Sequence, residues 1–250
     1  LGNVLEMDDL HRGSILHPGP VIIPAAIAAA QYFTATSGRV VSGAQLLDAI
    51  VRGYEVTIRI GRALGPTHYR FYHNTSTCGA FGAAAAAASI LGASAQQMTW
   101  ALANAGSRTG GLWQMRFEAT DTKSLHNVMA AQTGLQAALL AMQGVRGPAS
   151  LLEGVCGLFA ATAPDASAQD VLRDIDTEPW TIHAVSFKPW PACRHAHPAI
   201  DAAMAVLLQI PNFSVARIRQ ITLTTYQAAL DFCDKPLPAT AAEAKFSLQH

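Results

Sequence analysis

Charge is scarce in this chain: only 14% of its 250 residues are charged, and the 17 basic side chains are matched by 17 acidic ones. A formal net charge of zero gives no basic field to attract nucleic acid or anionic lipid, so no nucleic-acid partner is expected. Cysteine is scarce too. Cys78, Cys156, Cys193 and Cys233 never form a CxxC pair, which argues against a structural zinc site and an iron–sulfur cluster. Reduced thiols in a cytoplasmic protein fit this usage. Long apolar runs are missing: "VIIPAAIAAAQYF" is interrupted by Pro24 and soon followed by "TATSGR", so it reads as a core helix and no membrane partner is expected. There is no initiator methionine, and "AKFSLQH" stops where an apolar helical pattern begins. The sequence therefore reads as a piece cut at both ends, and that piece alone is expected to be insoluble or molten.

What the chain has in abundance is apolar and small residues, with 50% hydrophobic side chains, enough for a sizeable core. Ser42 and Gln45 form a capping box ahead of a helix over 43–64, where Leu46, Leu47, Ile50, Val51, Tyr54 and Ile58 recur at helical spacing. Ser94 and Gln97 repeat the device. The small-residue run predicts a helix over 79–91, "KSLHNVMAAQTGLQAALLAMQG" predicts another closed by Gly144, and Ser167 to Asp170 caps one more. Alanine and glycine on these faces suit a tightly packed antiparallel bundle. Near residue 180 the texture changes. "TEPWTIHAVSFKPWPACRH" is rich in proline and tryptophan, a helix is expected over 196–209, and "ARIRQITLTTY" alternates like a half-buried strand. The reading is mainly α: an incomplete all-helical bundle domain over 1–182, then the start of a smaller α+β domain over 183–250.

The few ionisable residues gather at helix starts and loops, in "EMDDLHRGSILHPG", "HYRFYHNTS", "GSRTGGLWQMRFEATDTKSLH" and "SFKPWPACRHAH". Each cluster also admits a structural explanation. Asp8 and Asp9 suit helix caps, a lone histidine suits a hydrogen-bonded core position, and Lys123 with His126 at i, i+3 suits a surface pair. Gly110 and Gly111 suit either a ligand approach or a tight turn.

Taken together, "GNVLEMDDLH…HPG", "FYHNTSTCGAFGAAAAAASILG", "TKSLHNVMAAQTGLQAALLAMQG" with "GPASLLEG", and "FKPWPACRHAHPAID" resemble the successive motifs of the MmgE/PrpD family. This family includes 2-methylcitrate dehydratase, cis-aconitate decarboxylase and iminodisuccinate epimerase. The resemblance implies a large helical domain with a smaller α+β lid and an active site between them, in a homodimer needing no metal or organic cofactor. It also implies a small polycarboxylate substrate and catalytic roles for Lys123, His73, His17 and His197. Asp8, Asp9, Thr75, Ser76, Arg108, His126 and His195 follow as substrate-binding residues, with Arg70 and Arg116 as further cationic candidates. His195 competes with His197 for the position after "FK.WP". Glu6 stands where decarboxylase-like members carry aspartate, Leu10 where they carry threonine, and one extra residue precedes His17. Those departures weaken a decarboxylase reading, and the leading expectation is general acid/base elimination of the 2-methylcitrate dehydratase kind, a hydro-lyase reaction. Epimerisation as in iminodisuccinate epimerase, cis-aconitate-type decarboxylation, and a non-catalytic organic-anion binder are the alternatives.

Overall fold

The structure, a computed structural model, describes residues 3–118 and 120–250. The chain divides after Phe187 into two compact units, where the sequence reading places the change at 183. The first holds Asp8–Phe187 with Asn3 and Val4, the second Lys188–His250 with Leu5–Met7.

The first unit is a helical bundle, as the mainly α reading expects. It comprises α1 (Gly19–Ser37), α2 (Gly43–Phe71), α3 (Asn74–Ile90), α4 (Ala95–Gly106), α5 (Thr122–Met142) and the short α6 (Leu158–Thr162). Both capping boxes form: the Gln45 amide donates to Ser42 Oγ at 3.2 Å while Ser42 N donates to Gln45 Oε1 at 2.9 Å, and Ser94 and Gln97 do the same. The expected helix over 43–64 runs seven residues longer. Gly65 adopts φ 66, open only to a residue without a side chain, which accommodates Pro66 and lets the helix resume to Phe71. The capping serine at 167 opens only a 3-10 turn, Ala168–Leu172.

α3 is the centre of the bundle, and every residue in it except Ser89 is buried. Its small side chains set how near its neighbours come. A Cβ on Gly82 would lie 2.1 Å from Thr57 Oγ1 and 2.6 Å from the Gly53 carbonyl of α2, and one on Gly134 of α5 would lie 2.4 Å from Ala83 Cβ. Such spacing brings backbone against backbone, so dispersion between main chains replaces the interlocking of large side chains. The start of α5 lies beside the start of α3 and Gly134 lies beside Ala80–Ala84, so these two helices run parallel. α3 begins at Asn74, five residues before the expected start, so "NTSTC" belongs to its first turns. A small antiparallel pair, β1 (Asp9–His11) with β2 (Val185–Phe187), sets Leu10 opposite Ser186.

The second unit contains α7 (His197–Leu208), α8 (Gln227–Cys233) and the one-turn α9 (Ala241–Ala244). Cys193, Ala196 and Cys233 form its buried centre, with Phe232, Phe246 and Leu248 against them. The strand expected from "ARIRQITLTTY" does not form: Val215–Arg217 is a 3-10 turn and residues 218–226 have no regular structure. Alternation alone does not make a strand, which needs a hydrogen-bonded partner, and none pairs with this stretch among the described residues. Among those residues no helix is long and apolar enough to cross a membrane.

Candidate functional site

The polar mouth of α3 is assembled from three segments. His73 is its N-cap, with its amide donating to the Gly111 carbonyl at 2.8 Å and its own carbonyl accepting from Ser76 and Thr77. The amides of Asn74 and Thr75 then have no acceptor among the described residues, and with the positive end of the helix dipole they face the mouth. The His73 ring is 2% exposed, rests on Trp113 at 4.6 Å between centroids, and has Nδ1 3.2 Å from His126 Nδ1. Burial pushes its pKa well below the usual range, and the positive charge of Lys123 pushes it further, as would a proton on either neighbouring ring, against a smaller opposing pull from Asp8. His73 is therefore a neutral imidazole with charged neighbours.

His17 follows β1 on the loop before α1. Its Nδ1–H donates to the Asp9 carbonyl at 2.7 Å and lies 3.0 Å from Asp8 Oδ2, and its amide donates to Thr75 Oγ1 at 3.0 Å. A carbonyl can only accept, so the proton is fixed on Nδ1 and the Nε2 face is left to the site. Asp9 is engaged structurally. Its carboxylate accepts from Gly19 N at 2.9 Å and from Tyr54 OH at 2.7 Å, holding the start of α1; burial raises its pKa in spite of those bonds and pushes the Tyr54 hydroxyl up as well.

Lys123 and His126 lie in the first turns of α5. Lys123 is half-buried, and its charge bears on His73. His126 faces both His73 and a cleft of about 540 Å³ that Ser76, Arg108, Gly111 and Thr133 also line. Burial lowers its pKa. Arg108 is exposed, with Nη1 3.4 Å from Gln136 Oε1. Gly111 answers to geometry: at φ 107 a Cβ there would lie 2.6 Å from Ser76 Cβ. Arg70 is exposed over the Phe71 ring, and Arg116 lies over Trp113.

The structure thus brings together His73, His17, Lys123, His126, Asp8, Thr75 and Ser76 within the first unit. His195 and His197 belong to the second. There His197 is fully buried and donates from Nε2 to the Ala192 carbonyl at 3.2 Å; Nδ1 has no hydrogen-bond partner among the described residues, and burial lowers its pKa. His195 Nδ1 is 2.8 Å from Tyr226 OH and its ring packs on Phe232. In the same unit Glu6 Oε2 accepts from Lys188 Nζ at 2.7 Å, both side chains being 5% exposed or less.

Two residues went unnoticed in the sequence. Trp113, which supports the His73 ring, follows "TGGL" with no periodic signal. Asn127 is 1% exposed, and neither end of its amide has a partner among the described residues. It lies four residues after Lys123, on the same face of α5, and that spacing was the available signal.

Comparison with known proteins bears on the whole arrangement. The MmgE/PrpD N-terminal domain model matches residues 1–170 and the MmgE/PrpD C-terminal domain model matches residues 190–250. The chain is 32% identical to human cis-aconitate decarboxylase over 255 residues, covering 98% of the chain and 51% of that protein. It is 28% identical to the cis-aconitate decarboxylase-like protein oryM of Aspergillus oryzae, covering 96% and 53%, and 24% identical to cis-aconitate decarboxylase of Aspergillus terreus, covering 95% and 52%. The chain spans about half the length of these relatives. Two successive domain models in order, over a bundle whose polar mouth gathers the residues that the motifs single out, place this chain in the MmgE/PrpD family.

Proposed function

We propose that the protein to which this chain belongs is a lyase acting on a small di- or tricarboxylate by general acid/base elimination, as a 2-methylcitrate dehydratase-like hydro-lyase. The observation that carries the reading is the convergence of His73, His17 and Lys123 on the first turn of α3, where two backbone amides lack acceptors. A substrate carboxylate is stabilised there by amides and helix dipole without the charged side chains having to reorganise.

In this reading Lys123, as the free amine, takes the proton from the carbon next to a carboxylate and becomes an ammonium, while the electron pair moves to expel the hydroxyl. His17, as the doubly protonated ring, hands its Nε2 proton to that leaving group and keeps the Nδ1–H that donates to the Asp9 carbonyl. Asp8, 3.0 Å from Nδ1, orients the ring and balances charge as the proton moves. His73, held neutral, contributes a hydrogen bond and not a charge. A second reading, decarboxylation of a cis-aconitate-like substrate, draws support from the relatives, two of them cis-aconitate decarboxylases and one a cis-aconitate decarboxylase-like protein. It uses the same anion site but loses carbon dioxide in place of water.

Incubation of the protein with 2-methylcitrate, citrate, cis-aconitate and iminodisuccinate in deuterium oxide, followed by NMR, separates the chemistries. Loss of water from a hydroxy acid supports the hydro-lyase. Carbon dioxide from cis-aconitate supports the second reading, and deuterium uptake without net loss would replace both with an epimerase. No change in any of the four refutes the lyase. Lys123→Ala is expected to abolish turnover; a folded variant that retains it would remove Lys123 from its role.

A further inference from the structure

The contact between His73 and His126 joins like to like, Nδ1 to Nδ1 at 3.2 Å. Two such nitrogens can hydrogen-bond only when one carries the proton and the other is bare. The two neutral rings are therefore in opposite tautomers, and the state of His126 dictates what the far nitrogen of His73 presents. The contact is held from several sides. The His73 amide is tied to the Gly111 carbonyl, the ring lies on Trp113, and His126 is placed by the parallel packing of α5 on α3. Gly111 lies beside the pair, where a Cβ would meet Ser76 Oγ at 2.7 Å and stand 3.4 Å from His126 Nδ1.

We propose that His126 is a positioning residue whose Nδ1–H donates to His73 Nδ1, so that His73 Nε2 presents an N–H to an anionic substrate. The inference rests on the polycarboxylate reading above and goes beyond it by giving His126 a task other than touching substrate. Two arrangements satisfy the pair. In one, His73 turns a lone pair outward, which repels a carboxylate or a developing oxyanion. In the other it turns an N–H outward, which attracts both and needs no positive charge on a buried ring. The hydrogen bond that the structure gives the His73 ring runs through Nδ1, which leaves Nε2 as the nitrogen to meet a ligand. Lys123, His17 and Asp8, the charged or titratable groups that bear on His73 besides His126, act through space and leave the tautomer to His126.

The test is nitrogen NMR of the full chain labelled with 15N-histidine near neutral pH, alongside turnover of 2-methylcitrate and cis-aconitate. In the wild type His73 is expected to carry its proton on Nε2. His126→Asn keeps an N–H donor near the same place and should preserve both that tautomer and most of the turnover. His126→Leu removes the donor, so His73 should become a mixture of tautomers and kcat should fall about 10- to 100-fold with little change in KM, the scale on which orienting partners act. A His73 proton on Nδ1 in the wild type overturns the proposal, as does a Leu variant with unaltered tautomer, whether or not its stability falls. Should the Leu variant not fold, the wild type and the Asn variant still decide. The two readings fail separately: a tautomer that follows residue 126 with no polycarboxylate turned over would sink the lyase alone, and full turnover in the Leu variant would sink the positioning role alone.

Discussion

Replacing His68 with phenylalanine should flatten the acid side of the stability profile. His68 is fully buried in α2. Thr162 donates its hydroxyl proton to the Leu158 carbonyl at 2.8 Å, so its oxygen accepts from His68 Nδ1 at 2.9 Å, which puts the proton on Nδ1. Nε2 is buried with no hydrogen-bond partner among the described residues, and a proton added there would create a charge with nothing to balance it. Burial accordingly pushes the His68 pKa down to about 4 from the ordinary 6.5. Above the ordinary value neither the folded nor the unfolded chain binds the proton and His68 is indifferent to pH. Below it the unfolded chain takes up a proton that the folded chain excludes, so stability is lost as pH falls from 6.5 towards about 4. At up to about 1.4 kcal/mol per pH unit, the loss is ~2 kcal/mol at about pH 5 and roughly 3 kcal/mol over the whole window. Phenylalanine keeps a ring to stack on Tyr72, 4.7 Å away between centroids. The assay is urea unfolding of both proteins followed by circular dichroism, near neutral pH and at about pH 5. Other buried histidines, including His73 and His197, are common to both proteins and cancel in the double difference. Parallel profiles for variant and wild type would refute the reasoning.

Two further outcomes follow from packing and from polar satisfaction. Gly82→Ala places a Cβ 2.1 Å from Thr57 Oγ1 and 2.6 Å from backbone oxygen, and should lower stability by ~1–3 kcal/mol, read as a falling melting temperature; an unchanged value would mean that α2 and α3 can part without penalty. Asn127→Leu replaces a buried amide lacking partners among the described residues with an apolar side chain of the same branched skeleton and should raise stability by about 1 kcal/mol, or some 2–4 °C. A drop of that size would show that the amide is satisfied in the folded protein.

Local signals with a mechanism were legible in the sequence. Ser42–Gln45 and Ser94–Gln97 are contiguous and self-sufficient, and both boxes form as read. The expected end of α2 at 64 fell short, because Gly65 can bend the backbone and still let the helix continue past Pro66. The stretch 216–226 was misleading, since alternation says which residues could share a face and nothing about whether a second strand lies beside them. At the site, the motifs gathered His73, His17 and Lys123, but roles within the cluster depend on distances that no spacing encodes. Asp9, expected to bind substrate, also holds the start of α1; His126, expected to bind substrate, also contacts another histidine ring. Both facts belong to tertiary structure, in which residues 45 and 53 positions apart meet.

The alanine run of α3 bears on selectivity. A helix wrapped in leucines can repack its side chains to admit a different ligand at its end, because rotamers supply many small compliances. The run Ala83–Ala88 has none to offer, and at Gly82, Gly53 and Gly134 the neighbouring helices already touch its backbone. The mouth can therefore answer a mismatched anion only by shifting as a rigid body against α2 and α5 together. On the polycarboxylate reading proposed above, substrates that differ in the placement of one carboxylate should be told apart by how far they would have to push this rod, and variation that widens the repertoire should be sought in the segments around the rod.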